Sequence, residues 1–290
     1  MRKEVTLVLM LISIAFTLFG ISVYSEKREV IVVDELDITR SSPEITVIDN
    51  NLFILEILPN RGRILWRIFS KGTDNTMSYL YTNSEYPMPF LDDLTSQYIF
   101  ELGGIYVSVP WNERSNQPYP LNGWIDEEQN TVLINLYGLN PVENLSVEIT
   151  VKIKEMDPII PIIVTIKNDS TKEKPVNFAQ YINFNFKPPL SLISGNKELN
   201  GKQIGDYENY LFKKLFEPTE FIGIVDKNGN GIKINLGSET EKYIQIWGKN
   251  WEQYFGGAPA VRFINLAEEF VLQPEESKTS KIILEFLTGE

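Results

Sequence analysis

The stretch Leu145-Ser-Val-Glu-Ile-Thr-Val-Lys-Ile-Lys154 alternates strictly, apolar at every odd position and polar at every even one. Successive strand side chains point to opposite faces, so this pattern predicts a β-strand with one buried and one solvated face. Glu155-Met-Asp-Pro158 then supplies turn residues, and the β-branched run 159–167 returns as a second strand. Together they predict a β-hairpin. Pro161 points to an edge position or to the start of its strand, because proline donates no N–H to a ladder.

The same pattern extends outward in both directions. Strands are predicted at 29–33, 44–48, 52–58, 64–69, 104–109, 131–136, 176–186, 221–225, 232–236, 243–247, 261–264 and 281–287. Asp49-Asn-Asn51, Asp226-Lys-Asn-Gly-Asn-Gly231 and Gly256-Gly257 supply turn chemistry between them. Helical periodicity is nearly absent after residue 26. Many short strands with few helices predict an all-β protein built as a large antiparallel β-sandwich. There is no internal repeat and no Pro/Ser-rich linker, so residues 26–290 read as a single domain.

Composition narrows the partners. The chain of 290 residues carries a formal net charge of −12, and its sequence pI is about 4.7. Such an acidic surface argues against nucleic acid and anionic lipid. With 43% hydrophobic and 12% aromatic residues, it can bury a large core. Cysteine is absent, which removes disulfides, thiolate metal sites, Cys nucleophiles and lipoprotein anchoring. Histidine is absent too, which removes nearly every common zinc site. No cofactor is expected.

Arg2 and Lys3 precede an apolar run from Val5 to Tyr24, and Val23-Tyr24-Ser25 offers a cleavage triplet. Residues 1–25 therefore read as a signal peptide, or as an uncleaved anchor, since about 20 apolar residues span a bilayer. Either places the rest of the chain outside the cytoplasm, periplasmic or secreted. Membrane contact is expected only through this segment.

Asp226-Lys-Asn-Gly-Asn-Gly231 has the opening of a calcium loop, but loop position 12 is Gly237 rather than a bidentate Glu. Flanking strands and the Asn-Gly pair favour a hairpin turn.

Several tracts share a resemblance. Val176-Asn-Phe-Ala-Gln-Tyr-Ile-Asn-Phe-Asn-Phe186 resembles the strand that carries the catalytic histidine of aldose 1-epimerases (galactose mutarotases). Leu52–Leu65 resembles the opening of such domains, an alternating strand running into a Gly-containing turn. Phe100-Glu-Leu-Gly-Gly-Ile-Tyr-Val-Ser-Val-Pro110, followed by Tyr119-Pro-Leu-Asn-Gly-Trp124, resembles their Gly-Gly strand and His-Gly loop. Ile244-Gln-Ile-Trp-Gly-Lys-Asn-Trp251, Ala260-Val-Arg-Phe-Ile264 and Phe270-Val-Leu-Gln-Pro-Glu-Glu-Ser277 continue the series. The resemblance covers most of residues 45–287 and implies the galactose mutarotase-like supersandwich. It also implies that the histidine positions read as Tyr181 and Asn122. The carboxylate base reads as Arg262, with Glu268 and Glu269 as alternative equivalents. Imidazole is the side chain suited to proton transfer near neutrality, so the chain excludes His-dependent mutarotase chemistry.

Three functions follow as expectations. The first is a non-catalytic protein that binds a sugar or oligosaccharide. Flat aromatic faces pack on the C–H face of sugars, and Trp111, Tyr119, Trp124, Trp247 and Trp251 read as loop or strand-end residues. Asn122, Tyr181, Asn183, Lys249 and Arg262 would supply polar contacts. The plainer reading is that such aromatics plug the rim of the core. The second is an epimerase or glycan-cleaving enzyme built on Glu101, Asp126, Glu252, Glu268 or Glu269, with Tyr181 or Lys249 as acid. It requires two carboxylates within about 5–9 Å across a cleft. The third is a structural or partner-binding protein of the cell envelope, marked by a contiguous apolar surface patch.

Overall fold

Two antiparallel sheets carry the chain. The computed structural model describes residues 29–33, 36–41, 45–58, 63–71, 78–80, 89–92, 97–100, 103–109, 122–128, 130–140, 143–185, 190–197, 199–203, 206–215, 219–236, 240–250 and 260–289. The predicted signal or anchor segment lies outside them.

The first sheet has ten strands. In spatial order they are β1 (Glu29–Val33), β2 (Leu36–Ser41), β3 (Ile45–Asp49), β4 (Phe53–Leu58), β5 (Arg63–Ser70), β8 (Ile105–Ser108), β14 (Ala179–Asn185), β21 (Ala260–Ala267), β20 (Thr240–Trp247) and β17 (Tyr210–Leu215). The second has nine. These are β16 (Lys202–Gln203), β15 (Ser191–Ser194), β18 (Phe221–Val225), β19 (Gly231–Asn235), β23 (Ser277–Leu287), β12 (Ile159–Asn168), β11 (Leu145–Lys154), β10 (Thr131–Asn140) and β9 (Asn122–Glu128). Two small ribbons complete the set, β6 (Pro89–Asp92) with β7 (Gln97–Phe100), and β13 (Lys174–Val176) with β22 (Phe270–Leu272).

Alternation explains the layering. Val147, Ile149, Val151 and Ile153 of β11 are buried, as are Ile160, Ile162, Val164 and Ile166 of β12. They join one core with Phe53, Leu55, Ile182, Phe184, Phe263 and Ile244 of the opposite sheet. Each such side chain contributes about 1.5–3 kcal/mol of transfer free energy. Phe53 of β4 and Phe286 of β23 stack between the sheets, with centroids 3.9 Å apart.

A polar clamp fixes one end. Asn50 is fully buried. Its Nδ2 donates to Lys154 O (3.2 Å) and Asp157 O (3.1 Å) in the β11–β12 turn. Its Oδ1 accepts from the N–H groups of Leu52 and Phe53, both at 3.0 Å. One amide thereby ties the β3–β4 turn to the hairpin of the other sheet.

Several expectations need correction. Pro161 is neither at an edge nor first in its strand; it is the third residue of β12, between β11 and β23. The ladder to β11 ends at Val151↔Ile162, one residue short of Pro161, so a missing N–H is tolerated on that side while β23 still pairs through Pro161↔Ile283. The predicted strand 176–186 divides in two, because Val176 pairs with Phe270 of the small ribbon before β14 joins β21 and β8. Residues 122–128 are an edge strand rather than a turn or loop, pairing with β10 from Tyr137↔Asn122 to Thr131↔Glu128. Their polar sequence, Asp126-Glu-Glu128, suits a strand with one open edge.

At Asp226–Gly231 the carboxylate serves its own turn. Asp226 Oδ1 accepts from the backbone N–H of Asn228 (2.7 Å) and Asn230 (2.9 Å), and Oδ2 accepts from Asn230 Nδ2 (3.1 Å). Gly229 takes φ +83°, a conformation open to glycine, and the segment closes the β18–β19 hairpin.

Candidate functional site

β8, β14, β21 and β20 turn alternate residues away from the core, and register lines those residues into rows. Tyr106, Tyr181, Ile264 and Tyr243 form one row, through the pairs Tyr181↔Tyr106, Tyr181↔Ile264 and Tyr243↔Ile264. Asn183, Arg262 and Gln245 form the next. An aromatic row and a polar row thus lie side by side on the outer face of the ten-stranded sheet.

The polar row is internally bonded. Asn183 Nδ2 donates to Gly104 O at 2.8 Å. Arg262 Nε donates to Asn183 Oδ1 at 3.0 Å, and Nη1 reaches Gln245 Oε1 at 3.5 Å. The Tyr106 and Tyr181 rings stack at 4.7 Å with planes 5° apart, and the guanidinium carbon lies 5.5 Å from the Tyr181 centroid. Arg262 is 1% exposed and Asn183 3%. A guanidinium keeps its charge at any physiological pH. Burying it costs several kcal/mol, which amide oxygens and an aromatic face partly offset.

Toward the edge the face opens. Phe212 and Lys214 of β17 meet Glu241 and Tyr243 of β20. Lys214 Nζ donates to Glu241 Oε1, and the Tyr243 hydroxyl donates to Glu241 Oε2 at 2.7 Å. The Phe212 and Tyr243 rings are parallel within 6°, with centroids 5.6 Å apart. The hydrogen bond from Lys214, then that from Tyr243, holds the Glu241 carboxyl below the usual range. The same bond raises Lys214. Burial, then the bond to Glu241, raises Tyr243. All three groups are driven away from neutrality, the wrong direction for general acid–base work near pH 7.

A second polar row lies on the inner face. Asn265 Nδ2 donates to Gln180 Oε1 at 2.8 Å, and Lys242 occupies the neighbouring register position. Burial lowers the Lys242 pKa. Gln180 Nε2 is buried without a hydrogen-bond partner among the described residues.

The predicted residues divide among these places. Tyr181, Asn183 and Arg262 come together in the two outer rows. Trp247 ends β20, paired in register with Ala260 and Tyr210. Lys249 is exposed just beyond it, its backbone N–H donating to Tyr207 O at 3.1 Å. Asn122 and Trp124 belong to β9, an edge strand of the other sheet, rather than to a loop. Asp126 is there too, accepting from Asn135 Nδ2 at 2.8 Å. Glu268 and Glu269 are exposed in the turn after β21. They lie six or seven residues along the chain from Arg262, roughly 20 Å of strand, so neither restores a carboxylate beside it. Glu101, Trp111, Tyr119, Trp251 and Glu252 lie outside the described residues. Among the described residues, no group of three or more acidic side chains is placed to hold a metal ion.

Gln245, Tyr243, Glu241, Lys214 and Phe212 were not anticipated. For three of them the signal is alternation in Thr240-Glu-Lys-Tyr-Ile-Gln-Ile-Trp247, where inward Ile244 and Ile246 force Glu241, Tyr243 and Gln245 onto the outer face; Phe212 and Lys214 follow from their pairing with that strand.

No protein-family model and no curated protein matches the sequence. Solved structures do match. A TPR-domain containing protein from Parabacteroides distasonis superposes with a TM-score of 0.68 at 14% identity, over 88% of this chain and 50% of that one. This chain thus spans half of that protein's length. A galactose mutarotase-like protein from Clostridium acetobutylicum gives 0.55 at 11% identity, over 91% of this chain and 99% of that one. One from Lactobacillus casei gives 0.52 at 14%, over 83% and 99%. Identities this low speak for architecture alone, and the architecture they share with this chain, two large antiparallel sheets packed face to face, is the galactose mutarotase-like fold.

Proposed function

We propose that this protein is an exported carbohydrate-binding protein that uses the outer face of the ten-stranded sheet and performs no mutarotase chemistry. The observation that carries the reading is the Asn183–Arg262–Gln245 row beside the stacked Tyr106 and Tyr181 rings, in a chain without histidine. The row and the two rings are themselves buried, so they shape the polar and aromatic face while ligand hydroxyls and sugar C–H faces would meet it at its open margin. None of these side chains shuttles a proton near neutrality. The mutarotase-like fold supports a sugar ligand, and the apolar N-terminal run supports export. Access is at the margin, where the Lys214 and Glu241 side chains are 35% and 38% exposed.

Titrating the purified full-length chain in mild detergent with monosaccharides and soluble oligosaccharides, read by tryptophan fluorescence, tests the reading. A saturable change with one glycan class, without turnover of that glycan, is expected. A flat response across the panel would refute it.

A further inference from the structure

We propose that Phe212, Lys214, Glu241 and Tyr243 form a subsite for one neutral hexose residue, which they recognise through a pair of adjacent ring hydroxyls. This deepens the carbohydrate reading and rests on it. Glu241 is held from two sides, by Lys214 Nζ on Oε1 and by the Tyr243 hydroxyl on Oε2 at 2.7 Å. A carboxylate offers about four acceptor sites, so roughly two remain for ligand hydroxyls. An ammonium has three donors, so with Glu241 and the Tyr243 oxygen beside it Lys214 keeps about one for a ligand. Donors and acceptors therefore stand side by side on a scale that matches two neighbouring hydroxyls of one sugar ring.

The rings supply the other half of the recognition. Phe212 and Tyr243 lie parallel, 5.6 Å apart, and Lys214 Nζ is 5.7 Å from the Tyr243 centroid. Such rings pack against the C–H face of a pyranose while its hydroxyls reach the ion pair. The cluster sits on the last strand of the sheet, β17. A sugar can dock there without entering the buried Arg262 row.

Charge decides the class. Lys214 and Glu241 cancel, so the subsite attracts neither acidic nor basic sugars. A uronate would place its carboxylate against Glu241. An ion pair more than a third exposed contributes little to folding, which leaves these residues free to serve a ligand and allows their substitution without unfolding the sheet.

The test is calorimetric titration of the full chain with neutral cello-, malto- and galacto-oligosaccharides and with oligogalacturonate. Wild type is compared with Glu241→Gln, Lys214→Met and Phe212→Ala, each checked by thermal unfolding. Saturable binding to a neutral glycan is expected, weakened about ten- to a hundredfold in Glu241→Gln and Lys214→Met through loss of charge-assisted hydrogen bonds. Phe212→Ala should weaken it about tenfold through loss of the ring contact. Unchanged affinity in all three variants would overturn the subsite while leaving carbohydrate binding intact. Preference for oligogalacturonate would overturn the neutral class. Wild type binding no glycan at all would sink the functional reading and this inference together.

Discussion

The guanidinium carbon of Arg262 lies 5.5 Å from the centre of the Tyr181 ring, on strands neighbouring in space but 81 positions apart in sequence. A buried cation is thus held by a π face and two neutral amide oxygens. Substituting Arg262 by Met removes the charge at similar volume and strips Asn183 and Gln245 of a donor. It should cost about 1–3 kcal/mol. Arg262→Lys keeps a buried charge and loses the planar fork, so it should cost more. Urea unfolding of the two variants checks the order; a lysine variant more stable than the methionine one would contradict this account.

Asn50 offers a test of the clamp between sheets. Asn50→Ala removes its four side-chain hydrogen bonds and leaves buried backbone groups unsatisfied. A loss of about 3 kcal/mol is expected, measured by chemical denaturation. Asn50→Asp keeps the acceptor but sets a buried carboxylate oxygen against the Lys154 and Asp157 carbonyls, so it should cost at least as much.

The Glu241–Lys214 pair has a predictable pH window. The folded pKa of Glu241 is depressed, so its contribution is present above the unfolded carboxyl pKa and lost as pH falls through the folded value. Lys214 is raised, so its contribution is present below the unfolded amine pKa and lost as pH rises through the folded value. Because the pair is screened by solvent, wild type should unfold only slightly above Glu241→Gln between these limits and converge with it in acid. A constant difference down to strongly acidic pH would argue against the pair.

Lys242 carries the opposite sign to Lys214. Burial on the inner face lowers its pKa, so the folded state disfavours its charged form and loses stability as pH falls through that lowered value. NMR titration of lysine Nζ signals should find one amine deprotonating before the others, and Lys242→Met should delete that signal.

The core was legible because burial imposes period 2 on a strand. Val147 to Ile153 and Ile160 to Ile166 show it without interruption. The edge strand β9 hid because Asn122-Gly and the acidic run that follows are also what a turn would carry. The outer rows were less legible for a different reason. Asn183, Arg262 and Gln245 meet only through the pairing of β14, β21 and β20, and local alternation does not reveal which strands become neighbours. Tyr243 and Glu241 stayed hidden behind the more conspicuous tryptophans, although the parity of β20 already placed them beside Gln245.

β1, the first described strand, and β17 stand at opposite edges of the ten-stranded sheet, nine strand spacings apart. At about 4.8 Å per spacing, the path across the sheet is roughly 43 Å. An N-terminal tether would therefore attach at the rim opposite the Phe212–Glu241 edge and leave that edge clear of the attachment point. In that arrangement the sheet itself is the spacer.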